Sequence, residues 1–208
     1  MRAFRRLASL TAIAGLLLVP AAGIASASTA RPAAVSPSRV RLHGGITRVT
    51  TAPGIAAALL KNGIVPVPTS PATEGIRYKD GQVYARFSFP VTGGNVGLNP
   101  LAGDVRHAGG ILFIDVDNGK TLKVSRFTID LKHADLTGIV NGNPHARVPL
   151  FTLDLSHAKL TTGVRSVHAT GIVLKLTKAA AGALDATFGT TLFSSGLELG
   201  TASTTLRF

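Results

Sequence analysis

The sequence predicts a mainly β protein, an antiparallel β-sandwich carrying two short α-helices. Three observations lead to that class. Apolar residues recur at every second position in short runs, the period of a strand with one buried face. Gly, Asn, Asp and Pro separate those runs, as turns between antiparallel strands require. Hydrophobic residues make up 45% of the 208-residue chain, enough to support a core rather than a disordered coil.

Residues 1–27 stand outside that fold. Arg2, Arg5 and Arg6 are followed by an apolar run from Leu7 to Ile24 and then by Ala25-Ser26-Ala27, the basic, apolar and small-x-small parts of a secretory signal. Removing this segment before Ser28 takes three Arg with it and lowers the formal charge from +12 to +9. A secreted or envelope-associated protein is expected, with no transmembrane segment after cleavage. The chain has no Cys, which excludes a disulfide framework, a thiolate metal site and a cysteine nucleophile. Residues 28–39, rich in Pro, Ser and Ala, read as a flexible linker. Residues 40–208 then form a single β-sandwich domain, of a size that buries about 70% of its unfolded surface.

Within that domain, Gly45-Ile46-Thr47-Arg48-Val49 reads as a strand. It leads into a helix over Ala52–Asn62, with Thr51 as N-cap and Gly63 as stop. Val83, Ala85, Phe87 and Phe89 alternate with Tyr84, Arg86 and Ser88. His107-Ala108-Gly109-Gly110 precedes the apolar strand Ile111–Ile114, and Asp117-Asn118-Gly119-Lys120 suits a type I′ hairpin. Phe127-Thr-Ile-Asp-Leu-Lys-His-Ala-Asp-Leu-Thr137 recurs at an offset of 24 as Phe151-Thr-Leu-Asp-Leu-Ser-His-Ala-Lys-Leu-Thr161, identical at eight of eleven positions. In both copies the apolar parity changes after the His, as at a β-bulge or bend, which puts His133 and His157 at strand corners. The turn Asn141-Gly142-Asn143-Pro144 lies between them. Centred on Asn143, it sets His133 opposite Leu153 and about 13 Å from His157, at ~3.3 Å per residue. A last strand with Ile172, Leu174 and Leu176 feeds a second helix over Lys178–Phe188, with Thr177 as N-cap and Gly189 as stop. Each Ala-rich helix is expected to plug one open end of the sandwich.

Catalytic patterns are missing. There is no Gly-x-Ser-x-Gly elbow and no phosphate loop, and the ten acids, scattered mainly in turns and on polar faces, select no carboxylate pair. The expectation is a non-enzymatic protein that acts by binding. His133 and His157 are the weak candidates for a metal pair; their nearby acids, Asp130 and Asp154, sit on the opposite strand parity, so no metal is expected. Glycines after His107 admit either a ligand or another backbone, which makes His107, Gly109 and Gly110 candidates for a binding site. The positive charge has a plain reading, a basic surface, and a functional one, attraction to an anionic cell-wall polymer. The cations are spaced singly along the strands, and the aromatic interleaving that stacks on bases is absent, so no nucleic-acid partner is expected.

Several runs together resemble the HtaA-type domain of secreted and cell-surface proteins of actinobacteria. They are Phe89-Pro-Val-Thr-Gly-Gly94, Gly103-Asp-Val-Arg-His-Ala-Gly-Gly-Ile-Leu-Phe113, Leu136-Thr-Gly-Ile-Val-Asn-Gly142 and Pro149-Leu-Phe-Thr-Leu-Asp-Leu155, with the closing helix and Gly196-Leu-Glu-Leu-Gly-Thr201. The likeness covers roughly residues 76–208. It implies a β-sandwich and, in some members, haem capture. The haem-binding members open with a Trp-containing stretch leading to a Tyr that ligates iron; this chain has no Trp, and a strand–helix unit occupies residues 40–67. No cofactor is therefore the first expectation, and haem the alternative. Under that alternative Tyr84 is the best-placed phenol, with Arg86 to pair a propionate and His107 nearby, although parity turns Tyr84 and Arg86 away from Phe87 and Phe89. A further alternative, an outer-membrane β-barrel, follows from Leu206 and the C-terminal Phe208, against the shortage of girdle aromatics.

Overall fold

The structure is a computed structural model and describes residues 39–208. The expected signal segment, and the linker up to Ser38, lie outside the described residues. In chain order the elements are β1 (Val40–Arg41), β2 (Gly44–Thr51), α1 (Ile55–Lys61), β3 (Ile64–Thr69), β4 (Thr73–Lys79), β5 (Gln82–Leu98), β6 (Leu101–His107), β7 (Gly110–Asp115), β8 (Thr121–Asp130), β9 (Asp135–Val140), β10 (Arg147–Asp154), β11 (Lys159–Thr162), β12 (Ser166–Leu176), α2 (Lys178–Phe188) and β13 (Glu198–Arg207). No helix among the described residues is long and apolar enough to cross a membrane.

Eight strands close an antiparallel barrel in the order β5–β2–β13–β12–β10–β9–β8–β6, with β6 pairing back onto β5. The mainly β class with two short helices holds; the sandwich is corrected to a closed barrel with added strands. The cause lies in β5, which runs for 17 residues. Its Arg86–Pro90 segment pairs with β2, and its Val91–Leu98 segment pairs with β6. One strand thus serves both ends of the sheet, and the edge disappears. The change of partner happens where the register slips between Val91 and Gly93. Gly94 lies there at φ +133, and a Cβ on it would sit on the Asp104 carbonyl, so only glycine lets β5 bend this close to β6.

Further strands extend the wall. β7 pairs with the first half of β8 and carries β3, while β6 takes the second half of the same edge. β4 and β1 pair with β5, and β11 pairs with β12. Inward positions are apolar: Phe87, Phe89, Val105, Phe127, Leu174 and Leu206 are buried, and the Phe89 and Phe127 rings meet edge to face at 5.1 Å. Outward positions on β2 and β13 hold Arg48, Thr50, Ser203 and Thr205, by their pairing and alternation. Apolar inside and polar outside is the inverse of a transmembrane barrel, which opposes the outer-membrane alternative.

Helix α2 starts and stops where expected. The Thr177 hydroxyl accepts from the Ala180 N–H at 3.1 Å and Gly189 ends the helix at φ +67. Helix α1 is shorter than expected: it begins at Ile55, after Gly54 in the left-handed region, with no side-chain cap. Thr51 is not its cap. It stays in β2, where its hydroxyl accepts from the Ala85 N–H at 3.1 Å. The two helices share one end of the barrel. They follow β2 and β12, which both run antiparallel to β13 and therefore parallel to each other.

The eleven-residue repeat yields turns, not bulges. Residues Leu131–Ala134 turn β8 into its hairpin partner β9, whereas the turn after Asp154 leads to β11, which pairs with β12. The hairpin centred on Asn143 has the expected register as far as Pro149↔Thr137, then slips by one residue at Leu150.

Candidate ligand site in the barrel interior

β6 delivers His107 to the interior. The Phe127 carbonyl, 3.3 Å from Nδ1, can only accept, so Nδ1 carries the proton. Nε2 then accepts from the Thr47 hydroxyl at 2.8 Å, and Thr47 accepts from Thr204 at 2.8 Å. All three side chains are buried. Burial pushes the His107 pKa down to about 4, against a smaller upward pull from the Phe127 carbonyl, so the ring is neutral at physiological pH. Both ring nitrogens are occupied by the protein, leaving none to bind a ligand.

Beside this seam lies a cavity of about 100 Å³, lined by Val49, Ile55, Leu59, Phe87, Phe113 and Leu199 among others. A void of about 80 Å³ sits under α2 and one of about 70 Å³ under α1. Leu199 lines all three, and the two voids under the helices have only apolar linings. Beyond Phe87, which lines the cavity, the β4–β5 hairpin continues the inner-face parity of β5. Asp80 and Gly81 both have positive φ, 50° and 73°, the signature of a type I′ turn. That turn sets Tyr78 opposite Val83 and Arg77 opposite Tyr84. Ile76, Tyr78 and Val83 therefore share a face with Phe87, yet Ile76 is 69% and Tyr78 77% exposed.

Tyr84 and Arg86 stand on the outer face, as parity predicts, away from the cavity. Gly109 and Gly110 are filled in by the chain itself. A Cβ on Gly109 would lie 2.7 Å from the Ala72 nitrogen, and one on Gly110 2.7 Å from the Ser125 Cβ, so close backbone approach accounts for both. His133 and His157 are not brought together. His133 Nδ1 lies 2.7 Å from Asp130 Oδ2 and holds that carboxyl below its usual range. The parity argument that separated this pair fails because β8 ends at Asp130 and the chain turns. Asp154 instead pairs with Lys175 at 2.7 Å, which holds its carboxyl well below the usual range. Among the described residues no group of three His, Cys, Asp or Glu is placed to hold a metal ion. Thr47 and Leu199 line the cavity, Thr204 bonds to Thr47, and Tyr78 stands on the hairpin; none of the four was singled out as a site residue from the sequence. Two signals for them were present: core parity for Thr47, beside Val49, and the Asp80-Gly81 turn for Tyr78.

The arrangement of strands has a known counterpart. The C-terminal domain of HtaA from Corynebacterium glutamicum matches with a TM-score of 0.52, over 79% of this chain and 98% of that domain, at 16% identity. The fold is HtaA-like. A domain-swapped dimer of a variant of the same domain aligns over 74% of this chain and 93% of the other, at 16% identity and a TM-score of 0.48. No protein-family model matches the chain, and no curated protein matches it.

A haem does not fit this HtaA-like interior. The cavity of about 100 Å³ falls short of the ~300 Å³ at which ligand pockets begin. His107 has no free nitrogen, and Tyr84 faces outward. Tyr78, the other phenol, is 77% exposed on the hairpin opposite Val83 and does not line the cavity.

Proposed function

We propose that this protein is exported and acts by binding rather than catalysis, with an apolar small molecule held at the helix-bearing end of the barrel. The observation that carries this reading is the meeting of three voids, two of them lined by apolar side chains alone, on the single side chain of Leu199. Together they approach the ~300 Å³ of a ligand pocket, so a shift of one leucine makes room that none of them has alone. The exposed apolar face of Ile76, Tyr78 and Val83 supplies a landing surface beside the space. Export is supported by the signal pattern of residues 1–27.

The experiment is a titration of the mature protein with the neutral dye Nile red and, separately, with haemin. Saturable 1:1 dye binding that tightens in Leu199→Ala, without a Soret shift for haemin, is expected. Failure of the dye to bind either protein rejects the apolar site. A 1:1 Soret shift that disappears in Tyr78→Phe restores haem as the ligand. For export, the mass of the extracellular protein should begin at Ser28, and an intact Met1 in the cytoplasm refutes it.

A further inference from the structure

The barrel wall is electrically divided. Strands β1, β2, β4, β5, β11, β12 and β13 carry eight Lys and Arg against two acids; β3 and β6 to β10 carry four against five. The two acids of the first group do not interrupt its outer face. Glu74 lies opposite Phe87 on the inner-face parity, and Glu198 lies at the helix end, opposite Lys175. Across the outer face the registers run Arg77 opposite Tyr84, Arg86 opposite Thr50, Arg48 opposite Ser88 and Ser203, and Arg207 opposite Ser166. Arg48, Arg77, Arg86 and Arg207 take part in none of the ion pairs among the described residues, which are Lys79–Asp80, Arg106–Asp104, His133–Asp130 and Lys175–Asp154. The Arg86 Nε is buried and has no hydrogen-bond partner.

Arg77, Arg86 and Arg48 follow one another two residues apart on adjacent strands, set among hydroxyls with no carboxylate between them, while Arg207 lies four residues farther along β13 from Ser203; like charges this close favour an anion between them. Each offers a fork that fits a phosphate bidentately, and Thr50, Ser88 and Ser203 stand beside them as donors to phosphoryl oxygens. The face follows adjacent strands about 4.8 Å apart, so it suits an extended chain of negative charges better than one compact ion. Tyr84 is the one aromatic residue on it, too few for base stacking, and its outward residues are mainly polar, unlike a lipid-inserting surface. We infer that the outer face of β4, β5, β2 and β13 holds the protein on a phosphodiester polymer of the cell wall. This rests on export but not on the apolar site: the cationic face and the apolar site stand or fall separately, and a protein that is not exported sinks the wall partner.

The test measures binding of the mature protein to purified wall fragments and to soluble polyphosphate over a salt series. Three proteins are compared: wild type, Arg48→Gln with Arg77→Gln, and that pair plus Arg86→Gln. A control of matched charge carries Lys120→Gln, Lys123→Gln and Lys132→Gln on the opposite wall. The face variants should lose about tenfold or more in affinity, the control less than about twofold, and wild-type binding should weaken as salt shortens the screening length to ~8 Å at 0.15 M. Equal losses in face variants and control would mean that net charge alone binds, and would overturn the site. Tighter binding to anionic lipid vesicles or to nucleic acid than to wall fragments would overturn the partner. The double variant spares the part-buried Arg86, so a folding defect in the triple variant leaves the inference open to refutation.

Discussion

His107 and Leu199 face the same interior space, and they are held in opposite ways. Around His107 each polar group has a partner: the Phe127 carbonyl, the Thr47 hydroxyl, and Thr204 behind it. Around Leu199 three voids meet, two of them lined by apolar side chains alone. A satisfied hydrogen bond in low dielectric fixes its geometry, because moving either partner leaves a buried polar group unpaired. Apolar contacts beside a void impose no such direction. The seam is therefore closed to a ligand while the helix end can open to one, and the histidine that first attracts notice holds structure.

The sharpest way to break this contrast is His107→Ala. It strands the Thr47 hydroxyl and the Phe127 carbonyl and opens a hole, for a loss of about 3–4 kcal/mol in urea unfolding at neutral pH. A loss below ~1 kcal/mol would mean that water replaces the ring at no cost and that the seam is not tight. Next comes pH. The folded pKa of His107, about 4, lies below the unfolded value of 6.5. Between these values the unfolded chain binds the proton and the folded chain does not, so stability is full above the upper value and falls as pH drops toward the lower. The fall should reach about 3 kcal/mol and shrink in His107→Gln; an unchanged slope in that variant assigns the effect to other groups. Leu199→Ala should cost less, about 2–3 kcal/mol, while dye affinity rises, the opposite sign from any change in the seam. The smallest effect is expected for Thr47→Val, about 1–2 kcal/mol, since volume is kept and only the two hydrogen bonds of the Thr47 hydroxyl, to His107 and from Thr204, are removed. Equal dye binding before and after that change confirms that the seam does not touch the ligand; a gain would merge the two regions.

The two copies of the repeat mark how far local sequence reaches. Each Asp folds the chain after its strand in the same way: Asp130 Oδ1 accepts from the Lys132 and His133 N–H groups, and Asp154 Oδ1 from the Ser156 N–H. The second oxygens diverge, one to His133 and one to Lys175. The next strands diverge too, since β9 returns along β8 while β11 joins β12. A turn is written within four residues; the strand that receives the chain is not.

Strand faces, the Asn143 turn and helix α2 were legible from the sequence because each rests on contacts within a few residues: alternation, a positive φ, a threonine three positions before its N–H. Helix α1 was misjudged because Thr51 found a longer-range partner in Ala85. The barrel in place of a sandwich depended on one strand changing partners midway, and periodicity is blind to a strand's neighbours. The bonding of His107 to Thr47, and of Thr47 to Thr204, was out of reach for the same reason, with separations of 60 and 157 residues between bonded pairs. So was the cationic wall, whose charges are spaced singly along the chain and come together only when adjacent strands bring them abreast. What each short segment prefers follows from its own residues, through sterics and local hydrogen bonds. The tertiary structure decided which segments meet, because pairing energy depends on both partners and neither carries it alone.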